Sequence, residues 1–367
     1  MRSVSSPRLF GLALLGLAAV VVAALIDLHA LLTAWLATVV TISAIAVGAL
    51  AVLMLSYLVR GQWTEGLHVP LAAAALTTPA AGLLFIPVLV GIPWLYPWAH
   101  ESVRGAFKSI WLTSGFFVSR TVFYFVLWTA LAIWVRRAWA DPRRMLISAS
   151  AGLIAYALTA SLAGIDWLES LTPKFHSSIY GLLFLTFQVL AGYAFALVIA
   201  LWPPLAPTFR YGAILLSALL LWAYNHAMQY IIIWSGNIPE EAIWYMHRET
   251  GLWGIVFWAL IILQFIVPFF AMLLSRVRNG QKPLLAIALL TVALRFVEAI
   301  LFALPGTASG LVLWLAVPGS IVLCGAVWWI CFTIAFERVR SSASDVRPLP
   351  DAFDASGSPE PLSHTRS

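Results

Sequence analysis

Charged side chains are scarce in this chain. Asp, Glu, Lys and Arg make up 10% of its 367 residues, where a soluble domain carries about 25%, and 62% of the residues are apolar. Water is therefore not its main solvent. Cysteine is scarcer still: Cys324 and Cys331 both fall in the last apolar run, seven residues apart and so on one helix face. That spacing matches no iron–sulfur, haem-attachment or zinc pattern, and the pair reads as small buried residues. Haem held between two histidines of a bundle is excluded too, because His226 is the one histidine placed at depth. The chain also lacks a phosphate-binding glycine loop, a hydrolytic Ser/His/Asp arrangement and a helical H-E-x-x-H. No repeat of 20–50 residues stands out.

The formal charge of +6 would suit a nucleic-acid partner if it lay on one soluble face. The basic residues instead sit in short loops between apolar runs, so the expected partner is the lipid bilayer and no nucleic acid. Runs of about 20 residues, enough to cross a hydrocarbon core of about 30 Å, lie near 9–28, 31–58, 69–95, 109–135, 145–165, 178–202, 211–235, 251–275, 284–304 and 310–336. This predicts an all-α, polytopic membrane protein of about ten transmembrane helices in packed bundles. The first run, Leu9 to Ile26 behind Arg2 and Arg8, exceeds a signal-peptide core and has no A-x-A cleavage site, so it reads as a retained helix. Of 21 Lys and Arg, 15 then fall on the N-terminal side of the membrane and four (Arg104, Lys108, Lys174, Arg248) opposite. The positive-inside rule predicts both termini in the cytoplasm, with the chain in an inner membrane. Residues 1–340 form the membrane domain, and 341–367, rich in Ser, Pro, Asp and Gly, read as a disordered cytoplasmic tail. Pro79, Pro87, Pro268 and Pro318 fall inside predicted helices and favour kinks.

An ionisable group at the bilayer centre costs several kcal/mol unless paired or wetted, so such positions are the first candidates for function. Arg120 is too deep to snorkel. Arg295 and Glu298, three apart, can share a helix face and form a pair or a wider network with Arg120. Asn225, His226 and Gln229 cluster on one side of the seventh run, and Gln188 and Gln264 reach mid-depth from neighbours. These groups predict a proton path or buried polar network of Arg120, His226, Gln229, Arg295 and Glu298 that opens outward. The inner halves offer mostly Ser and Thr, such as Thr77, Thr78, Ser148 and Ser217. In the turn D-W-L-E-S-L-T-P-K-F-H, Asp166 and His176 return to one mouth between the fifth and sixth helices. A carboxylate and an imidazole at an apolar mouth suit proton removal from a hydroxylated ligand such as a quinol, which makes them the expected catalytic pair.

Two segments on that side, A-G-I-D-W-L-E-S-L-T-P-K-F-H-S-S-I-Y-G at 163–181 and Q-Y-I-I-I-W-S-G-N-I-P-E-E-A-I-W-Y at 229–245, resemble a known family. They look like the F-type quinol-oxidoreductase membrane subunit of bacterial alternative complex III, within the NrfD or polysulfide-reductase membrane-subunit family. The resemblance implies ten or so helices, quinone or quinol as substrate and no cofactor bound by this chain itself. It also implies electron transfer to iron–sulfur and haem-c subunits beside a paralogous membrane subunit. The family's acidic residue after the fifth helix maps onto Asp166, and its N-I-P-E-E turn onto Asn237 to Glu241. The family pattern P-H-W-F-S-T-I-Y-G places its histidine at Lys174, while His176 takes a usually aromatic place. Two further readings stand beside quinol oxidation: a structural anchor without its own quinone site, and a secondary transporter, which would need a midplane site with two half-pathways.

Overall fold

A computed structural model describes residues 7–59, 66–100, 110–139, 141–202, 211–307 and 310–345, and all regular structure among them is helical. The long elements are α1 (Pro7–Ile26), α2 (Leu28–Leu58), α3 (His68–Val90), α4 (Ser114–Ala138), α5 (Pro142–Trp167), α6 (Tyr180–Leu201) and α7 (Tyr211–Gly236). The short α8 (Pro239–Glu249) leads to α9 (Gly251–Leu273), α10 (Gln281–Ala303) and α11 (Leu313–Asp345). Among the described residues, nine helices are long and apolar enough to cross a membrane, namely α1 to α6 and α9 to α11. The remaining long helix, α7, spans 26 residues and carries the polar side chains Asn225, His226 and Gln229 that reduce its apolarity. The chain is thus an all-α polytopic membrane protein. Helix α11 runs past residue 340 to Asp345, and the rest of the expected tail lies outside the described residues.

Helix α2 is the axis of the molecule: nearly every residue from Ala30 to Tyr57 is buried, with α3, α5, α6, α10 and α11 packed around it. Its closest neighbour is α6. A Cβ added at Gly48 would fall 1.7 Å from the Gln188 carbonyl oxygen, and one at Gly192 would fall 2.1 Å from the Ala49 nitrogen. Only glycine lets the two backbones approach so closely, the usual way helices gain van der Waals contact in lipid. Helix α1, by contrast, lies on the outside against α11 and exposes much of its apolar surface.

Proline decides where helices break. The predicted third helix is divided into pieces starting at Thr78, Ile86 and Ile92, with Pro79, Pro87 and Pro93 each in the first turn of a piece, where the missing N–H is not needed. The carbonyls and hydroxyls at the breaks find side-chain partners. Trp35 Nε1 donates to the Leu84 carbonyl at 2.9 Å, and Trp328 Nε1 donates to Thr77 Oγ1 at 2.8 Å. In α9 the residues before Pro268 form a π-helical turn, Ile262–Ile266, which aims the buried Gln264 at Thr291 of α10. Pro318, in contrast, is accommodated inside α11.

Candidate functional site

Asp166 closes α5, and the structure places its carboxylate against α4. Arg120 Nε donates to Oδ2 at 2.9 Å and Nη2 to Oδ1 at 2.8 Å, a bidentate ion pair. Trp111 Nε1 adds a bond to Oδ1 at 2.9 Å, and the Tyr124 hydroxyl, one turn beyond Arg120, adds one to Oδ2 at 2.8 Å. The guanidinium also donates to the Trp111 carbonyl and lies over the Trp111 and Phe116 rings at 4.0 and 4.4 Å. With four donors and no exposure, Asp166 has no lone pair left for a ligand. The two residues expected to act together thus face different partners, Asp166 the Arg120 guanidinium and His176 the Glu169 carboxylate. His176 is half-exposed and places Nδ1 3.8 Å from Glu169 Oε1, and these two residues border a cavity of about 250 Å³ together with Trp111, Ile165, Thr172 and Phe175.

Nor do the deep charges form one network. Arg120 is spent on Asp166, while Arg295 and Glu298 pair along α10, both fully buried, through Nη1 and Oε2. Glu298 Oε1 accepts from Trp222 Nε1 at 2.9 Å and meets His226 Nε2 at 2.8 Å. Trp222 and His226 stand one turn apart on α7, so a single helix face delivers both. Gln229 turns away from this cluster and accepts from the Ser177 hydroxyl at 3.3 Å. Arg295 Nε and Nη2, both amide atoms of Gln188 and Asn225 Oδ1 have no hydrogen-bond partner among the described residues.

The Glu298 cluster opens onto a cavity of about 440 Å³ between α7, α8, α9 and α10. Its walls are apolar and aromatic, including Tyr230, Trp244, Tyr245, Phe257, Trp258 and Phe302, and the ionisable groups among them are His226, Glu298 and Arg248. A pocket of this size with a few convergent polar groups is the usual form of a small-molecule site. By sequence Arg248 counts only among the four basic residues opposite the termini, and it is not a free loop charge. Instead α8 folds back, Asn237 takes a left-handed φ of 49°, and the arginine is buried over the Trp244 ring at 3.5 Å. Its guanidinium donates to the carbonyls of Trp244, Leu301 and Phe302 at 2.7, 2.7 and 2.8 Å, capping the negative end of α10. Burial pulls it down to about 9, still protonated at neutral pH. A helical reading of 239–249, which puts Trp244, Tyr245 and Arg248 on one side, is the signal that could have found it.

The two segments that carry the family resemblance meet at this place. Phe175 stacks on Trp244 at 4.7 Å, and Ser177 reaches Gln229. No protein-family model matches the chain, and no curated protein matches it.

Proposed function

We propose that this chain is an integral membrane subunit of a quinol-oxidising respiratory complex, and that the 440 Å³ cavity is its quinol site. The observation that carries the reading is a histidine–carboxylate pair set in the wall of an otherwise apolar, aromatic cavity at the end of a membrane bundle. Glu298 is a carboxylate held by Arg295 and Trp222, so His226 donates Nε2–H to it and keeps Nδ1 as the basic nitrogen. Nδ1 takes the two hydroxyl protons of quinol one after the other, handing on the first before it takes the second, and Glu298 stabilises the imidazolium that forms each time. Two electrons leave for an iron–sulfur or haem-c centre on partner subunits, so the quinone is released without a cofactor on this chain. The Lys and Arg distribution supports an inner-membrane location with cytoplasmic termini, which puts this cavity near the periplasmic face. The saturated Arg120–Asp166 pair supports an anchoring role for that part of the bundle, beside the quinol site and not in place of it.

The test is purification of the tagged chain with its partners in mild detergent, then oxidation of decylubiquinol and of menadiol. His226→Gln is expected to lower turnover by about 100-fold or more, the usual worth of a positioned base, with assembly intact. Quinol oxidation unchanged by His226→Gln refutes this site.

A further inference from the structure

The wall between the two cavities is built from aromatic rings. Phe175 lines the 250 Å³ cavity, Phe302 lines the 440 Å³ cavity, and the Tyr180 ring packs against both, with centroids 6.1 and 6.0 Å away. Tyr180 opens α6 and is 1% exposed. Its hydroxyl has no hydrogen-bond partner among the described residues, while it lies within electrostatic reach of Glu169 on the one side and of Glu298 and Arg248 on the other. An unpaired buried hydroxyl costs about 1–3 kcal/mol, and phenylalanine would fill the same space without that cost. Packing therefore does not account for the oxygen. A polar site between two cavities is a place where water is held and a proton can cross.

Building on the quinol reading of the larger cavity, we infer that Tyr180 relays the released proton from that cavity to the Glu169–His176 pair. Each of the two protons that His226 Nδ1 takes in turn from quinol passes to water at the Tyr180 hydroxyl. The tyrosine oxygen accepts it while giving its own proton, through water, to the Glu169 carboxylate. Glu169 hands the proton to His176 Nδ1, 3.8 Å away on a half-exposed ring, and it leaves to solvent. Tyr180 and Glu169 end with the protons they began with, and His226 returns to its neutral form. The two electrons go separately to the partner subunits' metal centre. Ser177 fixes the receiving end, since its backbone N–H donates to Glu169 Oε1 at 3.2 Å and its hydroxyl donates to Gln229.

The experiment uses the purified complex, decylubiquinol and the variants Tyr180→Phe and Glu169→Gln. Tyr180→Phe removes one unbonded oxygen, so thermal stability is expected to hold or rise. Quinol affinity, read from tryptophan quenching, and the rate of the first electron's arrival at the partner metal centre should stay at wild-type values. Steady-state turnover should fall about tenfold or more, the low end for loss of a proton-transfer group, and the Glu169→Gln loss should not add to it. Wild-type turnover in Tyr180→Phe overturns the relay and leaves the quinol site standing. A fall explained by weaker quinol binding overturns it as well. A wild-type complex that neither binds nor oxidises quinol removes the site, and the relay with it.

Discussion

Replacing Asp166 by Asn separates a structural tie from a catalytic carboxylate. Asn is nearly isosteric, so the packing around it survives and the change is chiefly one of charge. The oxygen can still accept from Arg120 Nη2 and Trp111, and the Tyr124 hydroxyl can turn to accept from the new amide. Arg120 Nε is then left facing a donor, and a guanidinium that is 7% exposed loses its counter-charge. The Coulomb term across 2.8 Å is about 6 kcal/mol at an effective dielectric near 20. Desolvation cancels part of the benefit of the intact pair, and removing one partner of a buried pair costs about 3–5 kcal/mol. The expected result is lower yield and an apparent melting temperature several degrees down, followed through the 18 tryptophans, with quinol turnover per assembled complex close to wild type. Adding Arg120→Met removes the orphaned charge and should recover most of the loss. If Asp166→Asn melted like wild type and turned over slowly, Asp166 would be catalytic and the saturated-pair argument wrong.

Two further perturbations test the other load on the bundle. Glu298→Gln leaves Arg295 buried without a counter-charge and should cost about 3–5 kcal/mol of stability, read as loss of assembled protein. Combined with Arg295→Met it should assemble again yet stay slow in quinol oxidation, because His226 has lost its carboxylate. Gly48→Ala drives a Cβ against the backbone of α6 and should destabilise by about 1–3 kcal/mol, whereas Gly11→Ala, with nothing within 4 Å, should melt like wild type.

Helix positions were legible because each hydrophobic run is long enough to be a span by itself. The runs expected at 31–58 and 211–235 correspond to Leu28–Leu58 and Tyr211–Gly236. The run at 69–95 was read as one helix, and three prolines with side-chain partners for the exposed backbone divide it. Arg120, His226, Arg295 and Glu298 all lie within helices, and all but His226 are buried. What hydropathy does not encode is the lateral order of helices. Arg120 therefore could not be assigned to Asp166, 46 residues away, over Glu298. The burial of Arg248 and Glu169 was not legible because it depends on where α8 and the α5–α6 turn fold back.

The two buried ion pairs differ in a way that bears on which of them works. A pair that only ties helices is most stable when every polar atom has a partner, and in Arg120–Asp166 each guanidinium nitrogen and each carboxylate oxygen has one. Arg295–Glu298 does not. Among the described residues two guanidinium nitrogens, the Gln188 amide and Asn225 Oδ1 are left without partners, and the shared carboxylate holds a histidine whose side chain is one-quarter exposed, in the wall of a cavity. Unused polar capacity in a membrane interior lowers stability, and the Trp222 and Phe187 rings facing the Arg295 guanidinium at 5.2 and 5.6 Å do not replace the missing hydrogen bonds. It is intelligible where a ligand and protons come and go, since a fully satisfied site would have no donor or acceptor left to offer them. That asymmetry supports the Glu298 cluster as the working end of the bundle and Asp166 as the tie that holds the neighbouring helices beside it.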